Sequence, residues 1–122
     1  MGKSIRTVGL EGVSFKAAIG VYPEEKILGN NFLADFEVSF KNPKNPDKEN
    51  LEDTINYSDL YSILEAEFKQ TNLLIETTAQ NILEETLSRY PDLRSIKIKI
   101  KKLNPPMKAQ LSNAFVTLNY HK

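Results

Sequence analysis

The chain contains no cysteine, and its one histidine, His121, is the next-to-last residue. Without cysteine there are no disulfides, no thiol nucleophile and no thiolate metal ligand. One histidine alone cannot make a typical zinc site, so metal-dependent chemistry is disfavoured and no metal or cofactor is expected. Charge of one sign is also missing. Sixteen Lys and Arg stand against sixteen Asp and Glu, with a pI of about 6.6, which argues against a nucleic-acid or membrane partner. No apolar run approaches bilayer length and the N-terminus has no signal-peptide core, so a cytoplasmic location is the default expectation. No repeat recurs at solenoid spacing. At 122 residues the expectation is one domain spanning 1–122, large enough to bury a real core.

What is present centres on residues 96–106. Ile96, Ile98 and Ile100 share one face of a strand and Lys97, Lys99 and Lys101 the other, because strand side chains alternate. The alternation then fails: Lys102 carries the isoleucine parity, and Asn104-Pro105-Pro106 stops the ladder. A cation at the end of an apolar row is either snorkelling to solvent or facing a ligand, and taken alone snorkelling is the default. The outer lysine row reads as a solvated strand face.

Residues 3–16 form a strand with a fault. Val8 and Leu10 are apolar on even numbers, Val13 and Phe15 on odd ones, so a bulge near Glu11-Gly12 is needed to restore the facing. Residues 20–30, punctuated by Gly20, Pro23 and Gly29, read as a loop, with Glu24 and Glu25 in a solvated acidic turn. In 31–41 the residues Phe32, Ala34, Phe36, Val38 and Phe40 face a core. Residues 41–50 make a polar connection. Two helices follow. The first carries Leu60, Leu64 and Phe68 with Tyr61 beside them, capped by Asn56 or Ser58, and breaks at Gln70-Thr71-Asn72. The second carries Ile75, Ala79, Ile82, Leu83, Thr86 and Leu87, and stops before Pro91. Glu76 falls in its first turn, where an ionised carboxylate suits the helix dipole whether or not it also meets a ligand. Residues 113–121 close the chain, with Ala114, Val116, Leu118 and Tyr120 as core row. The order β-β-α-α-β-β predicts an α+β domain, an antiparallel four-stranded sheet with two helices on one face. Two open sheet edges, and Leu33, Phe115 and Tyr22 left off the core rows, predict an oligomer that covers them.

Four stretches carry a resemblance: Ile19-Gly20-Val21-Tyr22-Pro23-Glu24-Glu25, Asp53-Thr54-Ile55-Asn56-Tyr57, Leu74-Ile75-Glu76-Thr77-Thr78-Ala79, and 98–106. Together, at compatible spacing, they resemble the dihydroneopterin aldolase family and its tunnelling fold. The resemblance implies retro-aldol cleavage of 7,8-dihydroneopterin to hydroxymethyl-dihydropterin and glycolaldehyde, a step of folate synthesis. It implies a ring-shaped homo-oligomer, tetramer or octamer, with pterin pockets shared between subunits. Glu76 resembles the pterin anchor, with ring contacts from the backbone around Ile55 and Ile75. Lys102 resembles the general acid/base on the substrate hydroxyl, with Glu25 beside it and Tyr57 moving a proton at the reacting carbon. The chemistry suits these residue types: the pterin ring can take the electron pair, so neither a Schiff base nor a metal is required. An ordinary lysine titrates near ~10.4 and a tyrosine near ~10, so each needs help from its surroundings to act near neutrality.

Ile19 stands where the family usually has histidine, Lys26 where arginine is common, Asn30 where glutamine is usual, and Thr78 where leucine is expected. The alternatives to an aldolase are a dihydroneopterin triphosphate epimerase and a non-catalytic oligomeric module that binds a pterin or purine ring. Lys97, Lys99 and Lys101 face away from the expected site, which offers no phosphate clamp. A ring-binding module would not require Glu25, Tyr57 and Lys102 together.

Overall fold

Alternating apolar residues at 32–38 and 96–100 become the two central strands of the sheet. The computed structural model describes residues 2–43, 49–105 and 107–122, with the backbone but not the side chain of Lys26. Strands β1 (Ile5–Ala17), β2 (Asn30–Lys41), β3 (Ser95–Leu103) and β4 (Asn113–His121) form one antiparallel sheet in that order. In the β2–β3 register Val38 faces Ile96, Phe36 faces Ile98 and Ala34 faces Ile100. All six are buried. Helices α2 (Tyr57–Phe68) and α3 (Ile75–Arg89) cover this face. They contribute Leu60, Ile63, Leu64 and Phe68, then Ala79, Ile82 and Leu83, to the same core. Each fully buried isoleucine or leucine contributes about 1.5–3 kcal/mol, which makes this two-layer seam the main source of stability.

The expected bulge is present. Pairing passes from Leu10–Phe36 to Val13–Ala34, so Glu11 and Gly12 together oppose Asp35. Gly12 has φ 64°, a conformation that disfavours side chains, and its N–H donates to Asp35 Oδ1 at 2.7 Å. Asn56 is the residue that caps α2, its Oδ1 accepting from the Ser58 N–H at 2.9 Å.

Two expectations need correction. The stretch read as a loop at 20–30 contains a helix, α1 (Pro23–Leu28), with proline in the first turn where no backbone donor is missed. Ala114, Val116, Leu118 and Tyr120 are half-buried, because β4 is an edge strand packed mainly against α3. After the polar connection at 41–50, Leu51–Asp53 forms a single 3-10 turn, while residues 44–48 of the connection lie outside the described ones. Among the described residues no helix is long and apolar enough to cross a membrane.

Candidate active site

Lys102 follows Ile100 on the core row of β3, flanked by Phe32 on β2 and Ala114 on β4. Its side chain is only 14% exposed, so it does not snorkel. The ammonium instead forms an ion pair with Oε2 of Glu25 on α1. Glu25, expected to be solvated, is 7% exposed. A buried carboxylate needs partners, and this one has three. Lys102 Nζ and Asn30 Nδ2, the latter at 2.7 Å, donate to Oε2; the Tyr22 backbone N–H donates to Oε1 at 3.3 Å. Burial, the largest single influence, pushes the Glu25 carboxyl up. The hydrogen bonds from Lys102, Tyr22 and Asn30 and the Lys102 charge outweigh it and hold the group below its ordinary value.

Two small features make room for this pair. A Cβ on Gly20 would collide with the Glu25 carboxylate. Asn30, where a longer amide was the expectation, also donates to the Ile19 carbonyl at 3.2 Å, so one short side chain ties the end of the β1 segment to the carboxylate.

The pair sits in a cavity of about 270 Å³ lined by Ile19, Gly20, Val21, Tyr22, Leu73, Leu74, Ile75, Glu76, Pro105 and Met107 as well. Four of the six expected site residues are thereby brought together: Lys102, Glu25, Ile75 and Glu76. Glu76 is exposed on the first turn of α3, at a position where its carboxylate can reach a ligand in the cavity while the dipole favours its charge. Ile55 and Tyr57 lie elsewhere. Ile55 is buried and borders a separate cavity with Phe40, Thr54 and Tyr90; Tyr57 is 62% exposed at the start of α2. A larger depression of about 490 Å³ lies on the uncovered side of the sheet, bordered by Thr7, Gly9, Glu37, Lys97 and Lys99. None of the expected site residues lines it. On the same face of the sheet, Lys101 lies 3.9 Å from Asp35, and Lys99 sits 4.4 Å above the Phe115 ring.

Sequence reasoning missed Asn30 and Asn72 as supports of this cavity. In the sequence Asn30 stands out only as a departure from the family pattern, and Asn72 only as a helix breaker. Thr78, another departure, is fully buried with its Oγ1 accepting from Asn72 Nδ2 at 3.0 Å, so its hydroxyl is satisfied where leucine would have none.

A four-stranded antiparallel sheet in sequential order, with two long helices on one face, defines a protein of the tunnelling-fold class. The crystal structure of E. coli dihydroneopterin aldolase in complex with neopterin superposes with a TM-score of 0.82 at 23% identity, covering 94% of this chain and 98% of that one. At that identity the likeness speaks for the fold alone. Sequence goes further. The family model described as FolB, dihydroneopterin aldolase, matches residues 8–119. Dihydroneopterin aldolase 1 of Arabidopsis thaliana is 35% identical over 97 residues, which are 78% of this chain and 66% of that protein. The dihydroneopterin aldolase of Streptococcus pyogenes is 34% identical over 99 residues, 80% and 83% of the two chains. The chain belongs to the dihydroneopterin aldolase family.

Proposed function

We propose that this chain cleaves 7,8-dihydroneopterin by a metal-free, Schiff-base-free retro-aldol reaction. The observation that carries the reading is the Lys102–Glu25 ion pair at a cavity with Glu76 at its mouth. Glu76 anchors the pterin, its two oxygens accepting from the ring amide and amino N–H groups in a charge-assisted, orienting contact. The backbone at Ile75 adds ring contacts.

The side chain of the substrate then lies toward Lys102. A basic group there takes the proton of the hydroxyl on the second side-chain carbon. The O–H electrons form the carbonyl of glycolaldehyde, the carbon–carbon bond breaks, and its electron pair passes into the protonated pterin ring. The remaining carbon takes up a proton to give hydroxymethyl-dihydropterin. Lys102, as the neutral amine, takes the hydroxyl proton, and the ammonium it becomes is held in place and balanced in charge by the ionised Glu25 beside it. Tyr57 supplies or removes the proton at carbon.

Tyr57 and Ile55 are exposed or turned to another cavity within one chain, so the reading requires a second copy to bring them to the pocket. The exposed Val21, Tyr22, Leu73, Leu74 and Met107 around the cavity, and Leu51 and Tyr57 near the other segment, supply apolar surface for that contact. Among the described residues the outer edges of β1 and β4 have no strand partner, which supports closure of a tetrameric or octameric ring. A cytoplasmic location and a single domain accompany this reading. Epimerisation would use the same proton-transfer groups. Lys97, Lys99 and Lys101 do not border the cavity, so the triphosphate is the less suited substrate.

The test is incubation of the purified chain with 7,8-dihydroneopterin and, separately, its triphosphate. Glycolaldehyde release from the first supports the aldolase. Conversion of the triphosphate to its epimer without glycolaldehyde would support the epimerase, and pterin binding without turnover the binding module.

A further inference from the structure

Asn72 lies between the two long helices, three residues beyond the Lys69 C-cap of α2, and is not needed to end that helix. Its Nδ2 donates to Glu67 Oε1 on α2 at 2.8 Å and to Thr78 Oγ1 on α3 at 3.0 Å. Both amide hydrogens are therefore engaged, one by each helix. The same Glu67 oxygen accepts from Asn81 Nδ2 at 2.8 Å, which fastens the network to the next turn of α3. On its other side, the Asn72 carbonyl accepts from the Gly20 N–H at 3.3 Å.

These contacts join two parts of the cavity that the chain places far apart. Thr78 lies two residues after Glu76 and is fully buried, so its position determines where the first turn of α3 presents that carboxylate. Gly20 is the residue against which the Glu25 carboxylate rests, and Glu25 holds Lys102. We infer that Asn72 is a positioning residue that sets the spacing between the Glu76 carboxylate and the Glu25–Lys102 pair. It touches neither the substrate nor the reacting atoms. The inference rests on the aldolase reading of those three groups, because only a ligand bound at one end and attacked at the other makes their spacing matter. A ligand held by Glu76 alone tolerates a shift of the pair; proton transfer does not, since a misplacement near 1 Å can cost on the order of a hundredfold in rate.

The test compares wild type with Asn72→Ala, which keeps the backbone carbonyl but frees the linker that carries it, and with Thr78→Val, which removes one of the two amide partners at nearly constant volume. Gln80→Ala, on the exposed side of α3, is the control. Asn72→Ala should lower kcat for glycolaldehyde release about 10- to 100-fold while neopterin affinity, read by fluorescence titration, changes less than about threefold. Thr78→Val should show the same split at roughly threefold in kcat. Amide exchange at the Gly20 N–H should accelerate in Asn72→Ala and stay as in wild type in Gln80→Ala. Unchanged kcat, or equal loss of kcat and affinity in proportion to lost thermal stability, would reduce Asn72 to a structural residue and overturn the inference. A wild-type chain that releases no glycolaldehyde overturns the aldolase reading, and with it the proposed role of Asn72. In that case Gly20 exchange still reports whether the strut exists.

Discussion

The two ends of the proposed site differ in how complete one chain makes them. At the Lys102 end everything is in place: the cation is paired, its carboxylate is buried and triply hydrogen-bonded, and a cavity is formed. At the Tyr57 end, the phenol is largely exposed, and the helix that carries it is braced through Tyr90 OH donating to Asp59 Oδ2 at 2.7 Å. The contrast follows from physical cost. A buried ion pair must be assembled during folding, since removing one partner leaves a charge without compensation. An exposed phenol involves no buried charge, so nothing within the single chain requires it to be covered.

Changes at the assembled end should show the largest effects. Lys102→Ala should lower kcat about 100- to 10,000-fold, the usual worth of a placed acid or base, with neopterin affinity changed only slightly. Equal loss of both would mean that Lys102 binds rather than catalyses. Glu76→Ala should do the reverse. Loss of a charge-assisted bidentate contact costs a few kcal/mol, or on the order of a hundredfold in neopterin Kd by fluorescence titration. Unchanged affinity there would move the anchor elsewhere.

The smallest effects distinguish the two ends by pH. The folded Glu25 carboxyl lies below its ordinary 4.5, so its contribution to stability is present above that value and is lost as pH falls through the lowered one. Burial, then the hydrogen bond and charge of Asp59, raise Tyr90 above 10.0. Its contribution is complete below that pH and disappears as pH rises through the raised value. Thermal melts should therefore show an acid limb that Glu25→Gln flattens and an alkaline limb that Tyr90→Phe flattens. An acid limb unaltered in Glu25→Gln would contradict the account of that pair.

Much of this was legible in the sequence, and the reasons differ by residue. Phe32 to Val38 and Ile96 to Ile100 gave their facing away because a strand row repeats every second residue over a long enough run to count. Lys102 was conspicuous for the same reason, as an intruder on the row. Helix α1 was not legible: six residues are too few for a helical period, and its punctuation by proline and glycine is shared with turns. The burial of Glu25 was hidden as well. It depends on Gly20 lacking a side chain and on Asn30 and Lys102 arriving from other strands, none of which local pattern reveals. Asn72 carried only the polarity of a helix stop, because its partners Glu67, Thr78 and Gly20 are joined to it by the tertiary fold. The distance of Ile55 and Tyr57 from the cavity was not a matter of local pattern either, because the tertiary fold sets it.

The most direct measurement joins the two ends. Lys102→Ala and Tyr57→Phe chains, each deficient alone, are unfolded, mixed in equal amounts and refolded together. If a site takes Lys102 from one copy and Tyr57 from the next, random assembly gives intact sites at roughly a quarter of the total, and glycolaldehyde release should recover to about that fraction of wild type. Activity no greater than the sum of the two separate variants would contradict the account, because it would place both residues on the same chain's site or leave Tyr57 outside it.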